Sequence, residues 1–219
     1  MLKQNLLFIL ICLGTIKGYS QSSIDLIATG GFSFSDKVNY MGCTGTVDPA
    51  FVFSLSFVYH PDRIIGFEVN YLYEQPTTYL DDQHDNSVKI YTSTNVTISR
   101  FLGGVNFQLP NKRLRPFAGV LLGVTQVETS DIINTGEYTG FTWSLQGGAD
   151  LNISSLLAIR AKFSYVQTPN VSNNSAYFGV KGNGDGFPTF ALGEPSTANI
   201  SQINLSLGIV FHIRLKSRK

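Results

Sequence analysis

The sequence predicts an all-β protein, an eight-stranded antiparallel up-and-down transmembrane β-barrel that follows a cleaved signal peptide. Three observations predict this fold. Eight segments of the 219-residue chain alternate apolar and polar residues, which is the pattern of strands with one apolar face. Short and long links alternate between these segments. Charged residues make up only 14% of the chain, against about 25% in an ordinary soluble domain.

Residues 1–20 have the parts of a secretory signal peptide. A basic start at Lys3 precedes an apolar run over 6–13, and a small residue occupies the position before the expected cleavage site. The run is too short for a transmembrane anchor, which needs about 20 residues. A lipoprotein signal would have a small residue before Cys12, where this chain has isoleucine. We predict a signal peptide over 1–20 and one barrel domain over 21–219.

Each alternating segment is long enough to cross the hydrocarbon core as a tilted strand, which takes about 9–11 residues. In residues 51–60 (FVFSLSFVYH) every second residue is Phe, Leu or Tyr, and these residues share one face. Rings cluster toward the segment ends, as in the aromatic belts of membrane barrels. The eight predicted strands are 24–34, 51–60, 64–74, 96–109, 114–128, 141–153, 156–167 and 203–214.

The links predict the orientation of the barrel. Three links hold the Pro, Asn, Asp and Ser of tight turns, and these are 60–63, 110–113 and 152–155. The other four are long, and these are 35–49, 75–90, 129–138 and 168–199. Outer-membrane barrels have short periplasmic turns and longer external loops. We therefore expect the cell outer membrane as the location, with both termini on the periplasmic side.

A soluble lipocalin-like barrel or a β-sandwich is the alternative fold. Its apolar faces would point inward, and its outer surface would carry about 25–35% charged residues. The polar faces here hold mainly Ser, Thr, Asn, Gln and Gly. This composition favours the membrane barrel.

The polar faces of a membrane barrel point into its lumen, where we predict a network of six charged residues. An eight-stranded barrel is only wide enough for its own side chains, and an unpaired buried charge costs several kcal/mol. We therefore expect a plug of paired charges that also includes Arg115, with a conducting pore as the alternative. The six predicted members are Asp25, Glu68, Arg100, Asp150, Arg160 and Lys162.

No sequence pattern predicts catalysis, a cofactor or a metal site. The GxSxG, HExxH, CxxC and Walker motifs are absent from the sequence. His60 and His212 have inner-face parity, whereas a lipid-modifying barrel would need a membrane-facing histidine. Residues 81–85 (DDQHD) offer oxygen ligands to a divalent cation, but a solvated acidic loop is the simpler interpretation. A formal net charge of +1 provides no basic stripe for nucleic acid.

The longest link, 168–199, places aromatic residues among Gly and Asn. Long links without structure of their own are usually functional or disordered, and exposed rings favour function. The short turns are too small to form a binding surface. We therefore predict external contacts through Tyr177, Phe178, Phe187 and Phe190.

Three stretches carry a family resemblance. They are the signal end at 19–21 (YSQ), the strand–turn–strand unit FLGGVNFQLPNKRLRPFAGVLLGV at 101–124, and the closing strand INLSLGIVFHIRL at 203–215. The chain resembles the small outer-membrane β-barrel proteins common in Bacteroidetes, the PorT-like or outer membrane protein β-barrel domain family. The resemblance covers nearly all of the mature chain and implies an architecture rather than an activity. Many such barrels end on an aromatic residue that the insertion machinery reads, whereas here Phe211 is followed by HIRLKSRK.

Residues and resemblance together predict a non-enzymatic integral outer-membrane protein with a structural or interaction role through its long extracellular loops. The expected partners are outer-membrane lipid, the barrel insertion machinery, and an extracellular ligand or secretion-complex partner. A small solute or ion channel is the first alternative. A lipid-modifying outer-membrane enzyme is the second.

Overall fold

A computed structural model describes residues 22–34, 36–40, 43–82, 92–130, 135–171 and 198–215. No helix in these ranges is long and apolar enough to cross a membrane. The predicted signal peptide and the four predicted contact residues of the longest link lie outside them. The described strands are β1 (Ser23–Ser33), β2 (Asp36–Tyr40), β3 (Cys43–Val47), β4 (Ala50–His60), β5 (Ile65–Glu74), β6 (Thr77–Asp82), β7 (Thr92–Gln108), β8 (Leu114–Ser130), β9 (Thr135–Asn152), β10 (Leu157–Val171) and β11 (Ala198–Arg214).

Eight of these strands close into an antiparallel barrel, in the order β1-β4-β5-β7-β8-β9-β10-β11. The first strand closes the ring because it pairs with β4 on one side and with β11 on the other; Phe32, for example, is opposite both Phe51 and Leu205. The eight strands coincide in order with the eight predicted segments. The predicted fold class is confirmed.

One end of the barrel, which we name the turn end, carries the three tight turns at 61–64, 109–113 and 153–156. Side chains organise these turns: the Asp62 carboxylate accepts the backbone N–H groups of Ile64 and Ile65 at 2.7 Å each. The first and last described residues also meet here, where Leu215 donates its backbone N–H to the Ser22 carbonyl at 3.0 Å. The opposite end is named the loop end.

A small sheet continues the barrel wall at the loop end, in the order β2-β3-β6-β7. The strand β3 runs on into β4, and β5 runs on into β6, with interruptions at Pro49 and Pro76. Proline has no N–H for a ladder, so each proline breaks the pairing locally. Backbone hydrogen bonds next to the prolines, such as the one from Asp48 N–H to the Thr77 carbonyl at 2.9 Å, connect the small sheet to the barrel wall. The long links predicted over 35–49 and 75–90 therefore contain strands.

Toward the loop end, the long strands turn polar residues outward and apolar residues inward, the reverse of their pattern in the lipid-facing belt of the barrel. Along β8 the outward residues are apolar from Leu114 to Val124, and polar from Gln126 onward. Those eleven residues match the length of a membrane crossing. The inward residue Val127 is fully buried. Inward apolar residues at this level come from four strands and are Val96, Ile98, Val127, Val166 and Ile200. The outer surface therefore faces lipid below this level and water above it.

Aromatic pairs mark the loop-end border of the lipid-facing belt. Trp143 and Tyr165 lie on neighbouring strands with ring centroids 5.6 Å apart. Phe32 and Phe51 meet edge to face at 5.8 Å. Such rings suit the membrane–water interface because they are apolar over most of their surface.

Candidate functional site

Among the residues that the structure describes, the interior of the barrel contains equal numbers of acidic and basic side chains. Seven of the eight are buried, and Arg115 is half-buried at the turn end. The formal charges of these eight side chains sum to zero. The carboxylates are Asp25, Glu68, Glu74 and Asp150, and the cations are Arg100, Arg115, Arg160 and Lys162.

Asp25 lies between two imidazoles near the turn end. Its carboxylate is 3.2 Å from Nε2 of His60 and 2.6 Å from Nδ1 of His212. A carboxylate only accepts hydrogen bonds, so Asp25 is the acceptor in both contacts. Arg115 donates to Nε2 of His212 at 2.5 Å. Gly66 makes room for the His60 ring, since a Cβ there would lie 2.8 Å from Cε1.

Asp150 is the acceptor of a second cluster beside the first. Arg160 binds it through two N–H groups, at 2.6 and 2.9 Å. Gln108 donates to the same carboxylate at 2.9 Å, and Arg115 lies 3.7 Å away. The Arg160 guanidinium also stacks over the Phe117 ring at 4.1 Å from its centroid. These contacts compensate for the desolvation of a fully buried carboxylate.

Glu68 organises the middle of the lumen. Gln146 donates to it from the opposite wall at 2.6 Å, and Asn106 donates to the same oxygen. Gly119 is required next to this cluster, because a Cβ there would lie 1.8 Å from the Asn106 Oδ1 atom. Lys162 donates to Ser54 at 3.1 Å.

Arg100 closes the interior toward the loop end. It donates through one Nη atom to Glu74 and through the other to Gln202. The exposed fractions of Arg100 and Glu74 are 1% and 0%. Gln202 belongs to β11, which is not a neighbour of β7 in the barrel. This contact therefore crosses the lumen.

Among the described residues, four side-chain hydrogen bonds cross the lumen between strands that have at least two other strands between them. Their pairs are Arg115–His212, Gln146–Glu68, Lys162–Ser54 and Arg100–Gln202. They occur at successive levels from the turn end to the loop end. The side chains of this narrow barrel thus fill its interior, as expected for eight strands.

The hydrogen bonds of the two histidines involve Asp25 and Arg115 in the described ranges. Neither His60 nor His212 is hydrogen-bonded to a serine, threonine or cysteine there. No group of three or more His, Cys, Asp or Glu residues in these ranges could hold a metal ion. Asp81 and Asp82 belong to β6, while the remainder of the predicted cation loop lies outside the described residues.

A comparison with protein families gives one match, to the outer membrane protein beta-barrel domain, over residues 6–183. This range covers most of the sequence. The chain belongs to this family. The outer-membrane location predicted from the links is confirmed with it. A comparison with curated protein sequences found no match.

Three crystal structures resemble this outer-membrane barrel. The Neisserial surface protein A superposes with a TM-score of 0.54 at 11% identity, covering 91% of this chain and 100% of its own. OprG of Pseudomonas aeruginosa gives 0.54 at 12% identity, with 90% and 99% covered. Ail of Yersinia pestis, crystallised with the heparin analogue sucrose octasulfate, gives 0.51 at 12%, with 89% and 99% covered. At these identities the likeness concerns the fold.

All six charged residues predicted for the lumen of this outer-membrane barrel lie on its inner wall. Direct contact joins only Asp150 and Arg160 among them. Sequence reasoning left out Glu74, which is the direct partner of Arg100. The alternation of β5 places Glu74 on the inner face. Because Glu74 is the last residue of that strand, the sequence does not show that its side chain is buried. The pairing of Asp25 with His60 and His212 was also missed, although the parity of both histidines was recognised.

Proposed function

We propose that this outer-membrane barrel is a non-enzymatic protein that holds an interaction surface outside the membrane. The sheet β2-β3-β6-β7 carries this proposal, because it extends the wall of the barrel beyond the lipid-facing belt. A barrel that only filled the membrane would need no such extension. Above the belt, the outward faces of β7 and β8 are polar, as a water-exposed surface requires.

The surroundings of this sheet support a contact role. Among the described residues β2 pairs with β3 on one side and lies against β11 on the other. The sheet is therefore supported on both sides and offers its outer face, rather than a free edge, for contact. The predicted contact residues of the link 168–199 would add aromatic anchors at the same end of the barrel.

The conducting alternative has less support. A path for solutes would have to pass four cross-lumen bonds and the buried ion pair of Arg100 and Glu74. Next to Glu74, Ile98 and Val127 pair on the neighbouring strands β7 and β8 and are fully buried. Opening such a path would leave buried charges without partners, at a cost of several kcal/mol.

The enzymatic alternative also has less support. A lipid-modifying barrel needs a histidine on its outer wall, whereas His60 and His212 point inward and bind Asp25. We also propose that the chain is one of the PorT-like barrels of Bacteroidetes within this family, because of residues 101–124 and 203–215. The proposed partners are outer-membrane lipid, the barrel insertion machinery, and an external ligand or secretion-complex component.

The proposal predicts that aromatic residues of the longest link are needed to capture a partner. Replacing all four predicted contact residues by serine should remove the partner recovered in affinity capture from outer membranes. The barrel itself should stay folded, because none of the four belongs to a described strand. The different gel migration of boiled and unboiled protein checks the fold. The four replaced residues are Tyr177, Phe178, Phe187 and Phe190.

A matched variant controls for general disturbance of the link. It changes Asn173, Asn174 and Asn183 to serine in the same segment and leaves every ring in place. This control should capture as much partner as the wild type. The proposal is wrong for this link if two variants capture as much partner as the wild type. These are the variant with all four aromatic residues replaced by serine and a variant lacking 172–196.

A further inference from the structure

A basic cavity opens at the turn end, on the opposite side of the barrel from the proposed interaction surface. Its volume is about 670 Å³, within the range of small-molecule pockets. The walls come from all three tight turns and from the ends of β1 and β11. The basic and imidazole side chains that line it are His60, Arg63, Lys112, Arg115, His212 and Arg214.

The permanent charges of this cavity are unbalanced. Arg115, one of the four cations that line it, lies 3.7 Å from Asp150. The other three have Asp62 as the one carboxylate among the lining residues. That carboxylate already accepts two backbone N–H groups of its own turn. Arg63, Lys112 and Arg214 have no carboxylate partner among the residues that the structure describes. Like charges gathered in one concave site raise the local concentration of anions.

Few carboxylates lie near this cavity. The acidic residues of the chain lie mostly in the loop-end links and in the lumen. Among the described residues Asp62 is therefore the one carboxylate beside Arg63, Lys112 and Arg214.

The floor of the cavity is shaped by Arg115. One Nη atom contacts His212 and lies 3.7 Å from Asp150, while its Nε atom is buried without a hydrogen-bond partner. His60 and His212 each turn a ring nitrogen toward Asp25. The interior network therefore fixes the floor and compensates the Arg115 charge through Asp150, while the unpartnered Nε atom of Arg115 remains as a donor.

We propose that this cavity binds a small multivalent oxyanion, whose phosphate or carboxylate groups contact Arg63, Lys112 and the Arg115 floor. Arginine suits this ligand because its planar guanidinium can bind two oxygens of one group. Lysine adds a flexible point charge at the rim. A ligand with at least two anionic groups could reach both the rim and the floor.

The test is calorimetric titration of the folded, detergent-solubilised protein with inorganic pyrophosphate at low salt, with citrate as a competitor. Lys112→Gln and Arg63→Gln should each weaken binding about tenfold, as expected for losing a charged hydrogen bond. Arg113→Gln is the matched control. It removes the same charge from the next residue of the turn, and that side chain does not line the cavity. It should weaken binding by less than about twofold.

Competition by citrate would support a general oxyanion site, and binding of pyrophosphate without competition would support a phosphate-selective one. Two results would overturn the proposal. One is the absence of saturable pyrophosphate binding at millimolar concentration. The other is an equal loss of affinity in Lys112→Gln and Arg113→Gln, since that would indicate diffuse attraction to a basic surface.

Discussion

Leu207→Arg is expected to lower the free energy of unfolding by about 2–4 kcal/mol in lipid bilayers, the range for arginine at the midplane of the lipid-facing surface. Leu207 lies at the centre of the outward face of β11, and 65% of it is exposed in the structure. In the membrane this exposure is to hydrocarbon, where the guanidinium loses its hydration. Denaturant unfolding of the variant in vesicles measures the change.

Ile213→Arg provides the matched control for this prediction. Ile213 has the same outward orientation on the same strand, but it lies at the turn end of β11. Arginine near an interface should cost only about 0–1 kcal/mol. Ser206→Arg, on the inner wall, should be limited by space, because Ser206 packs against Gly31. An equal cost for Leu207→Arg and Ile213→Arg would mean that this face does not meet lipid.

Arg100→Met is expected to cost about 3–5 kcal/mol, because it leaves the buried Glu74 carboxylate without its cation. Both side chains are almost completely buried, so water cannot replace the missing partner. The bond to Gln202 across the lumen is lost as well. The loss is measured as a change in the free energy of unfolding.

A second substitution separates the cost of an orphaned charge from a loss of packing. Adding Glu74→Leu to Arg100→Met should recover most of the stability, since apolar replacement of a whole buried ion pair is often neutral or stabilising. The double-mutant cycle then gives a large coupling energy. If Arg100→Met costs less than about 1 kcal/mol, the ion pair is not desolvated as the structure indicates.

The barrel strands could be predicted wherever their two faces meet different surroundings. Residues 51–60 lie between lipid and a polar lumen, and the observed strand β4 starts one residue earlier. The start of β7 at Thr92 was missed by four residues, because residues 92–95 (TSTN) show no contrast between faces. That part of the strand lies above the belt, where the outer side faces water. The strands β2, β3 and β6 were missed for the same reason.

The partners of the interior charges could not be read from the sequence. Parity places Arg100 on the inner wall, but its contact with Gln202 joins residues 102 positions apart. Which residues face each other across a barrel depends on the stagger and tilt of the strands. Neither quantity follows from alternation alone. Alternation therefore predicts the face on which a residue lies and does not predict its partner.

The interior of the barrel is closed by its own side chains. Conductance of the folded wild-type protein in planar lipid bilayers is the decisive measurement of this closure. We expect no steady unit conductance, because four cross-lumen bonds and the Arg100–Glu74 pair occupy the path. A reproducible, long-lived conductance step for each inserted wild-type protein would contradict this closure.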